Sequence, residues 1–98
     1  MLFRSDAGAF AVVLEAIPAG LGTRVTEALA IPTVGIGAGA GCDAQILVWQ
    51  DLAGLTTGHL PRFVKRYADL HDVLTRAAAS YVNDVADGTY PAPEHCYT

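Results

Sequence analysis

The candidate for acid–base chemistry is Glu15, which ends an apolar run. Residues 10–14 read FAVVL, and the carboxylate follows directly. A run without polar alternation predicts a parallel strand that is covered on both faces. Because α/β folds build their sites at the carboxyl ends of such strands, Glu15 is a candidate site residue. The alternative is that Glu15 marks the step into solvent, since most carboxylates are exposed.

A glycine-rich segment, GIGAGAG at residues 35–41, is the candidate phosphate-binding loop. Gly35 and Gly37 open the pattern G-x-G-x-x-A after a predicted strand, and Asp51 follows downstream. That motif needs a helix whose N-terminus faces the pyrophosphate, and residues 42–45 are too few to form one. We therefore expect the glycines to let the backbone approach a ligand or a neighbouring strand closely, with a small dinucleotide-binding domain as the weaker alternative.

Two further carboxylates, Asp43 and Asp51, are candidates for a metal site. Mg²⁺ binds through one or two carboxylates and keeps several waters, but the spacing of these residues does not make them converge with Glu15. Asp43 has the alternative role of a turn or capping residue, and Asp51 that of a strand terminator. His59 is a single loop histidine that we expect to be solvated.

The two cysteines form no recognisable metal or nucleophile motif. Cys42 and Cys96 are far apart, with no C-x-x-C spacing and no histidine pair at zinc-ligand intervals. His95 precedes Cys96 in a segment that we expect to be extended, where adjacent side chains point in opposite directions. The sequence therefore predicts free thiols in a reducing compartment and no thiol nucleophile.

The elements predicted around these residues are three strands and three helices. We expect strands near residues 9–15, 32–37 and 46–49, helices near residues 22–30, 61–71 and 72–87, and an extended tail over residues 89–98. Pro18 and Gly20 interrupt the first strand, and Pro32 ends the first helix. Strand, helix and strand within about 30 residues is a βαβ unit with parallel strands. The chain, residues 1–98, is predicted to form one partial domain.

The second half of the chain carries a helical pattern. Apolar residues are spaced by threes and fours at Phe63, Tyr67, Leu70, Leu74, Ala77, Tyr81 and Val85. This spacing predicts one face of two helices in line, with a break at His71 and Asp72. Pro61 suits the first helical turn and Gly88 suits a C-cap.

Composition excludes several classes of protein. Of the 98 residues, 52% are apolar and 16% are charged, which argues against a disordered chain. The high apolar fraction also indicates that part of the apolar surface contacts protein outside this chain. A formal charge of -4 with six Lys and Arg argues against a nucleic-acid surface. The cluster Arg62, Lys65 and Arg66 is interpreted as the solvated face of a helix.

The longest apolar run, residues 7–14, is far shorter than the roughly 20 residues of a membrane span. We expect no secretory signal, no membrane association and a cytoplasmic location.

Five blocks of the sequence resemble the 3-methyl-2-oxobutanoate hydroxymethyltransferases, also called ketopantoate hydroxymethyltransferases. The blocks are GAFAVVLE at 8–15, IPTVGIGAG at 31–39, CDAQILV at 42–48, FVKRY at 63–67 and YPAPEH at 90–95. They follow the order of the family, and together they are far more specific than any one block. The resemblance implies an α/β fold, the C-terminal portion (about three βα units) of a (β/α)8 TIM barrel of the phosphoenolpyruvate-binding type. C-terminal helices and an extended tail follow in that fold.

The resemblance implies a transferase of pantothenate and coenzyme A biosynthesis. Enzymes of this family use Mg²⁺ and move a hydroxymethyl group from 5,10-methylenetetrahydrofolate to the α-keto acid 3-methyl-2-oxobutanoate, which gives 2-dehydropantoate. Glu15 occupies the position of the glutamate that removes the C3 proton as general base. Strand direction makes Ile36, Ile46 and Val48 candidates for lining the substrate pocket. Full-length members of the family are homo-oligomeric.

The chain departs from the family in length and in several residues. Eight βα units take roughly 250 residues, whereas this chain has 98. The metal-binding aspartates and the substrate-binding lysine of the family belong to earlier strands, so no metal ligand is expected here. Ala44 stands where glycine is usual, Cys96 where serine is usual, and residues 1–5 do not match the family. We expect a C-terminal fragment of the enzyme that is inactive alone.

A second interpretation is a non-catalytic α/β interaction module that docks its open sheet edge on a partner. An exposed apolar edge strand promotes association. A stable monomer in sedimentation would count against this module and also against a missing barrel partner. The third interpretation, the dinucleotide-binding domain, predicts that NAD protects the chain from unfolding.

Overall fold

The computed structural model describes residues 6–98. In this part of the chain the elements are β1 (Val12–Glu15), α1 (Ala19–Ala28), β2 (Thr33–Ile36), β3 (Ala44–Gln45), α2 (Trp49–Leu52), α3 (Leu70–Asp87) and a 3-10 turn (Pro93–His95). A small parallel sheet with helices confirms the α/β class. The single domain predicted over residues 1–98 includes residues 1–5, which lie outside the described residues.

The sheet has the order β1-β2-β3, and both pairs of strands are parallel. Val12 pairs with Thr33 and Glu15 with Ile36, so β1 and β2 are in register over their full length. α1 connects them, which confirms the predicted βαβ unit. As a result, the carboxyl ends of the strands meet at one edge of the sheet.

α1 covers one face of the sheet and forms the core with it. Leu14, Val25 and Ala38 are buried together. Gly22 lies so close to the Ala38 carbonyl that any side chain at this position would collide with it. The helix begins at Ala19, earlier than the predicted start near residue 22, because the chain enters it directly after the proline.

On the opposite face of the sheet, the side chains of β1 are exposed. Side chains alternate along a strand, so Val13 and Glu15 point away from Leu14 and α1. Val13 is 54% exposed, and Phe10, which precedes β1, is 87% exposed. The prediction that residues 10–14 are covered on both faces is therefore wrong for this chain, because α1 packs on one face only.

A buried polar network ties the start of β2 to its neighbours. Thr33 is fully buried, and its hydroxyl lies 2.8 Å from that of Thr26 in α1. The Thr33 N–H donates to Asp43 Oδ2 (2.9 Å), and the Asp43 N–H donates to the Thr33 hydroxyl (3.1 Å). The carboxylate thus holds the glycine-rich segment, residues 35–41, against β2.

The strand predicted over residues 46–49 is wrong. The Ile46 N–H still donates to the Gly35 carbonyl (3.0 Å) and ends the pairing of β3 with β2. β2 then turns away at Gly37, whose φ of 69° is left-handed. The residues after Ile46 have no strand beside them, and the chain enters α2 at Trp49 instead.

The helix predicted over residues 61–71 is also wrong, because residues 61–69 form turns and bends. One N–H group of this segment and two at the start of α3 bond to carbonyls at the end of α2 and just after it. The donors Tyr67, Leu70 and His71 reach the carbonyls of Leu52, Ala53 and Gly54 at 2.8, 2.9 and 3.0 Å. These bonds satisfy the last carbonyls of α2. α3 therefore begins only at Leu70, and the three cations within residues 62–66 lie in a loop.

α3 is one uninterrupted helix of 18 residues, so the predicted break at His71 and Asp72 is absent. Asp72 instead pairs with Arg76 one turn later, at 3.1 Å. Gly88 ends the helix in the left-handed conformation (φ 77°), which confirms the predicted C-cap. No residue of α3 is buried.

The tail contains a 3-10 turn, so the extended tail predicted over residues 89–98 is correct only outside that turn. The 3-10 turn Pro93–His95 is closed by the Ala92 N–H, which donates to His95 Nδ1 (3.1 Å). The Tyr90 ring lies 5.5 Å from that of Tyr81 and 5.2 Å from that of His95. Proline does not prevent this turn, because its fixed φ suits the first helical position.

The chain is elongated. Its radius of gyration is 22.2 Å, whereas a compact domain of this length has about 13 Å. The extents are 65 × 31 × 17 Å, because α3 extends away from the sheet. Among the helices of residues 6–98, none combines the length and the apolar character needed to cross a bilayer.

Candidate functional site

Glu15 is the last residue of β1, and its side chain is exposed. It pairs with Ile36, the last residue of β2, so it lies at the edge where the parallel strands end. This is the edge at which α/β proteins place their reacting groups. The position leaves the carboxylate accessible to a substrate that approaches from the uncovered face.

The residue after Glu15 has a strained backbone. Ala16 has a φ of 52°, and it is the one non-glycine residue with positive φ among residues 6–98. A side chain in this region costs about 1–2 kcal/mol. The Ala16 N–H donates to the Ile36 carbonyl (2.9 Å) and the Ile17 N–H to the Gly37 carbonyl (3.1 Å). These two bonds hold the strained turn and thereby fix where Glu15 ends the strand.

Two of the three predicted pocket residues share a sheet face with Glu15. Ile36 is directly opposite Glu15 in the register and is 8% exposed. Ile46 lies two residues after Ala44, so alternation places it on the same face, where it is 50% exposed. Val48 is different: it precedes α2, outside the ladder, so strand direction does not place it on this face.

Two open grooves follow the ends of the strands. The Lys65 groove, about 420 Å³, is lined by Gly37, Gln45, Ile46, Leu47, Leu52, Phe63, Lys65 and Tyr67. The Arg62 groove, about 780 Å³, is lined by Ala16, Ile17, Ala19, Gly37, Gly39, Pro61, Arg62 and Phe63. Glu15 lines neither groove, although the next residue lines the second. Phe63 and Gly37 line both of these grooves and also a third, of about 380 Å³, which borders Asp43.

Phe63 is the residue at this edge that sequence reasoning missed, because the spacing assigned it to a helix face. Its ring lies against Gly37: a Cβ added there would be 2.5 Å from Phe63 Cδ2. A Cβ added at Gly39 would similarly be 2.5 Å from the Ala19 Cβ. The available signal in the sequence was the FVKRY block, which begins with Phe63 and is one of the five blocks that resemble the family.

The glycine-rich segment does not have the surroundings of a dinucleotide site. Residues 40–43 form turns and bends, and β3 follows at once. The helix that would point its N-terminus at a pyrophosphate is therefore missing from this part of the chain. The glycines instead allow close packing on α1 and on Phe63, as expected of bare backbone.

The other polar candidates are scattered. Asp43 bonds to β2, and Asp51 accepts a hydrogen bond from a threonine hydroxyl (2.6 Å). His59 is exposed, and Cys42 and Cys96 are free thiols. Across residues 6–98, no three His, Cys, Asp or Glu side chains are close enough together to hold a metal ion.

The chain matches known proteins along almost its whole length. The family model described as ketopantoate hydroxymethyltransferase matches residues 2–93, so the expectation that residues 1–5 do not match the family is wrong for residues 2–5. Proteins named 3-methyl-2-oxobutanoate hydroxymethyltransferase are similar to it in Frankia casuarinae (68% identical over 93% of this chain), Acidothermus cellulolyticus (62% over 94%) and Mycobacterium ulcerans (60% over 95%). The chain spans 31%, 34% and 31% of these relatives, about a third of their length. The resemblance of the five blocks is therefore confirmed, and the chain belongs to the ketopantoate hydroxymethyltransferase family.

Proposed function

We propose that this chain is the C-terminal portion of a 3-methyl-2-oxobutanoate hydroxymethyltransferase and supplies about three βα units of its (β/α)8 barrel, of the phosphoenolpyruvate-binding type. The observation that carries the proposal is the match of residues 2–93 to the family model, over about a third of the relatives' length. The parallel sheet with one uncovered face supports it, because the inner face of a barrel is covered only when the remaining strands close it.

In this proposal Glu15 is the general base. A base must reach the acidic C–H directly, and Glu15 ends β1 with an exposed carboxylate. It removes a proton from C3 of 3-methyl-2-oxobutanoate, and the resulting enolate forms a C–C bond to the methylene carbon of 5,10-methylenetetrahydrofolate. Water supplies the hydroxyl oxygen and tetrahydrofolate leaves, which gives 2-dehydropantoate for pantothenate biosynthesis. Ile36 and Ile46 share its sheet face and support an apolar pocket for the branched substrate, with Val48 at the rim.

The complete enzyme is proposed to be a cytoplasmic homo-oligomer that requires Mg²⁺. The aspartates that bind this metal are proposed to lie on earlier strands of the barrel, as the resemblance to the family implies. The chain alone is accordingly proposed to be inactive. Its partners are an α-keto acid and a folate.

The test is reconstitution of the barrel. The chain is mixed with the segment of the Frankia casuarinae relative that it does not match, and formation of 2-dehydropantoate is followed with Mg²⁺ present. We expect turnover from the mixture and none from the chain alone. Glu15→Gln should lower the rate about 10²–10⁴-fold, the usual contribution of a general base.

Glu27→Gln is the matched control, because Glu27 is an exposed glutamate on α1, away from the strand ends. It should leave the rate unchanged. Full turnover with Glu15→Gln would overturn the assignment of the base. Formation of a stable complex without turnover would favour the non-catalytic interaction module, which the lack of any buried residue in α3 also supports.

A further inference from the structure

Positive charge is concentrated in one loop of an acidic chain. Arg62, Lys65 and Arg66 are three of the six Lys and Arg residues, while the formal charge of the chain is -4. No Asp or Glu occurs between Asp51 and Asp69. All three cations are exposed. The loop therefore forms a local positive patch that the rest of the sequence does not neutralise.

These cations have no carboxylate partner. Within residues 6–98 the one ion pair of a Lys or Arg joins Arg76 to Asp72, and residues 1–5 contain no Asp or Glu. Lys65 contacts an aromatic ring, since its Nζ lies 4.9 Å from the centre of the Tyr67 ring. Three cations without a carboxylate partner in one loop attract anions, so an anionic ligand that binds there gains from their combined charge.

The loop is anchored at the edge where the strands end. The Tyr67 N–H donates to the Leu52 carbonyl (2.8 Å), and Phe63 lies against Gly37. Arg62 lines the groove that borders Ala16, and Lys65 lines the groove that borders Ile46. Arg62 and Lys65 therefore line two different grooves that share Phe63 and Gly37.

We propose that this loop, residues 61–67, binds the p-aminobenzoyl-glutamate end of a folate, with its carboxylates on Arg62, Lys65 and Arg66 and its ring against Phe63 and Tyr67. An aromatic ring that carries a flexible dicarboxylate matches two aromatic side chains flanked by separated cations. The inference rests on the proposed function, which requires a folate as the one-carbon donor.

A phosphate ligand fits the loop less well. Phosphate sites usually gather backbone N–H groups around one anion. In this loop the Val64 N–H already donates to the Pro61 carbonyl (3.0 Å), and the Tyr67 N–H donates to Leu52. Arg62 and Lys65 line different grooves, which suits two separate carboxylates better than one compact anion.

The test uses the full 98-residue chain, labelled with ¹⁵N, and titrates it with p-aminobenzoyl-glutamate. We expect saturable amide shifts in residues 62–67 and at Ile46 and Leu52. Arg62→Gln and Lys65→Gln should each raise Kd about two- to fivefold, and the triple variant with Arg66→Gln about tenfold or more. Raising the ionic strength should weaken binding, because the charges are exposed.

Matched controls separate this site from general charge effects. Arg24→Gln makes the same change of net charge on the exposed side of α1 and should leave Kd unchanged. The uncharged probe p-aminobenzamide should bind at least tenfold more weakly. Equal weakening by Arg24→Gln, an equal affinity for the uncharged probe, or the absence of saturable shifts would each overturn the proposal. Stronger binding of inorganic phosphate at the same amides would overturn it in favour of a phosphate site.

Glu15→Gln distinguishes this proposal from the proposed function. The variant should retain the affinity of the chain for p-aminobenzoyl-glutamate, although it lowers turnover of the reconstituted enzyme. Loss of turnover with intact binding supports both proposals. Binding without any turnover of the unsubstituted mixture counts against the function alone, and turnover without binding counts against the loop alone.

Discussion

At the scale of single residues, the feature that distinguishes the candidate base is the strained residue beside it. Strained backbone persists only where surrounding contacts enforce it, and such residues cluster at functional sites. Here the enforcing contacts are the bonds from Ala16 and Ile17 to the carbonyls that end β2. The strain therefore supports the placement of the site at Glu15 independently of the family.

Replacing Ala16 with glycine should stabilise the chain. Glycine adopts a φ of 52° without a Cβ clash, which removes about 1–2 kcal/mol of strain, although its flexibility in the unfolded chain costs about 0.5–1 kcal/mol. We expect Ala16→Gly to raise the free energy of unfolding by about 0.5–1 kcal/mol, measured by urea denaturation. The control Ala28→Gly, in the helical conformation of α1, should lower it by up to about 1 kcal/mol. A lower midpoint for Ala16→Gly would show that the turn is not strained.

At the scale of elements, β2 is the centre of the fold because polar contacts fix it as well as apolar ones. It pairs with both other strands, and its first residue, Thr33, bonds to α1 and to Asp43. Asp43 therefore has the turn-forming role that was the alternative to metal binding. The network also sets where the glycine-rich segment leaves the sheet, and hence where Gly37 meets Phe63.

Replacing Thr33 with valine should destabilise the fold. The change preserves shape but removes the fully buried hydroxyl that accepts from the Asp43 N–H and bonds to the Thr26 hydroxyl. An unsatisfied buried group costs about 1–3 kcal/mol, so Thr33→Val should lower the free energy of unfolding by that amount in urea titration. Thr57→Val, at an exposed loop position, should change it by less than about 0.5 kcal/mol. Equal effects of the two variants would contradict a structural role for the network.

At the scale of the whole molecule, apolar surface is left uncovered. Leu74 is 50% exposed, Tyr81 57% and Val82 62%, and all lie on α3. The exposed sheet face adds Val13 and the residue before β1, Phe10. Surfaces of this kind are normally buried against other protein. The elongated shape is therefore that of a part whose packing partners lie outside residues 6–98.

The purified chain should associate in a concentration-dependent way. The apolar stripe of α3 consists of Leu70, Leu74, Ala77, Tyr81 and Val85. Leu74→Glu places a charge in this stripe and should lower the weight-average sedimentation coefficient at equal concentration. Ala79→Glu, roughly half a turn away from that stripe, adds the same charge and should leave the coefficient unchanged. An unsubstituted chain that sediments as a monomer at all concentrations would contradict this prediction.

The sequence predicted the first half of the fold better than the second. The order of β1, α1 and β2 follows from an apolar run, a proline and helical spacing, all of which act within a few residues. The helix expected over residues 61–71 failed because its N–H groups bond to the end of α2, a contact between distant segments. The strand expected over residues 46–49 failed because β2 bends away at Gly37. Neither cause is visible in local spacing.

The sequence by itself determined the family, the βαβ unit, the Gly88 cap and the position of Glu15 at the end of an apolar strand. These features depend on the order and local pattern of residues. Only the tertiary structure decided which side chains share the face of Glu15, that Phe63 covers Gly37, and that the cations beside it lie in a loop without carboxylate partners. The physical reason is that strand register and long-range hydrogen bonds fix those neighbours, and both join residues that are far apart in the chain.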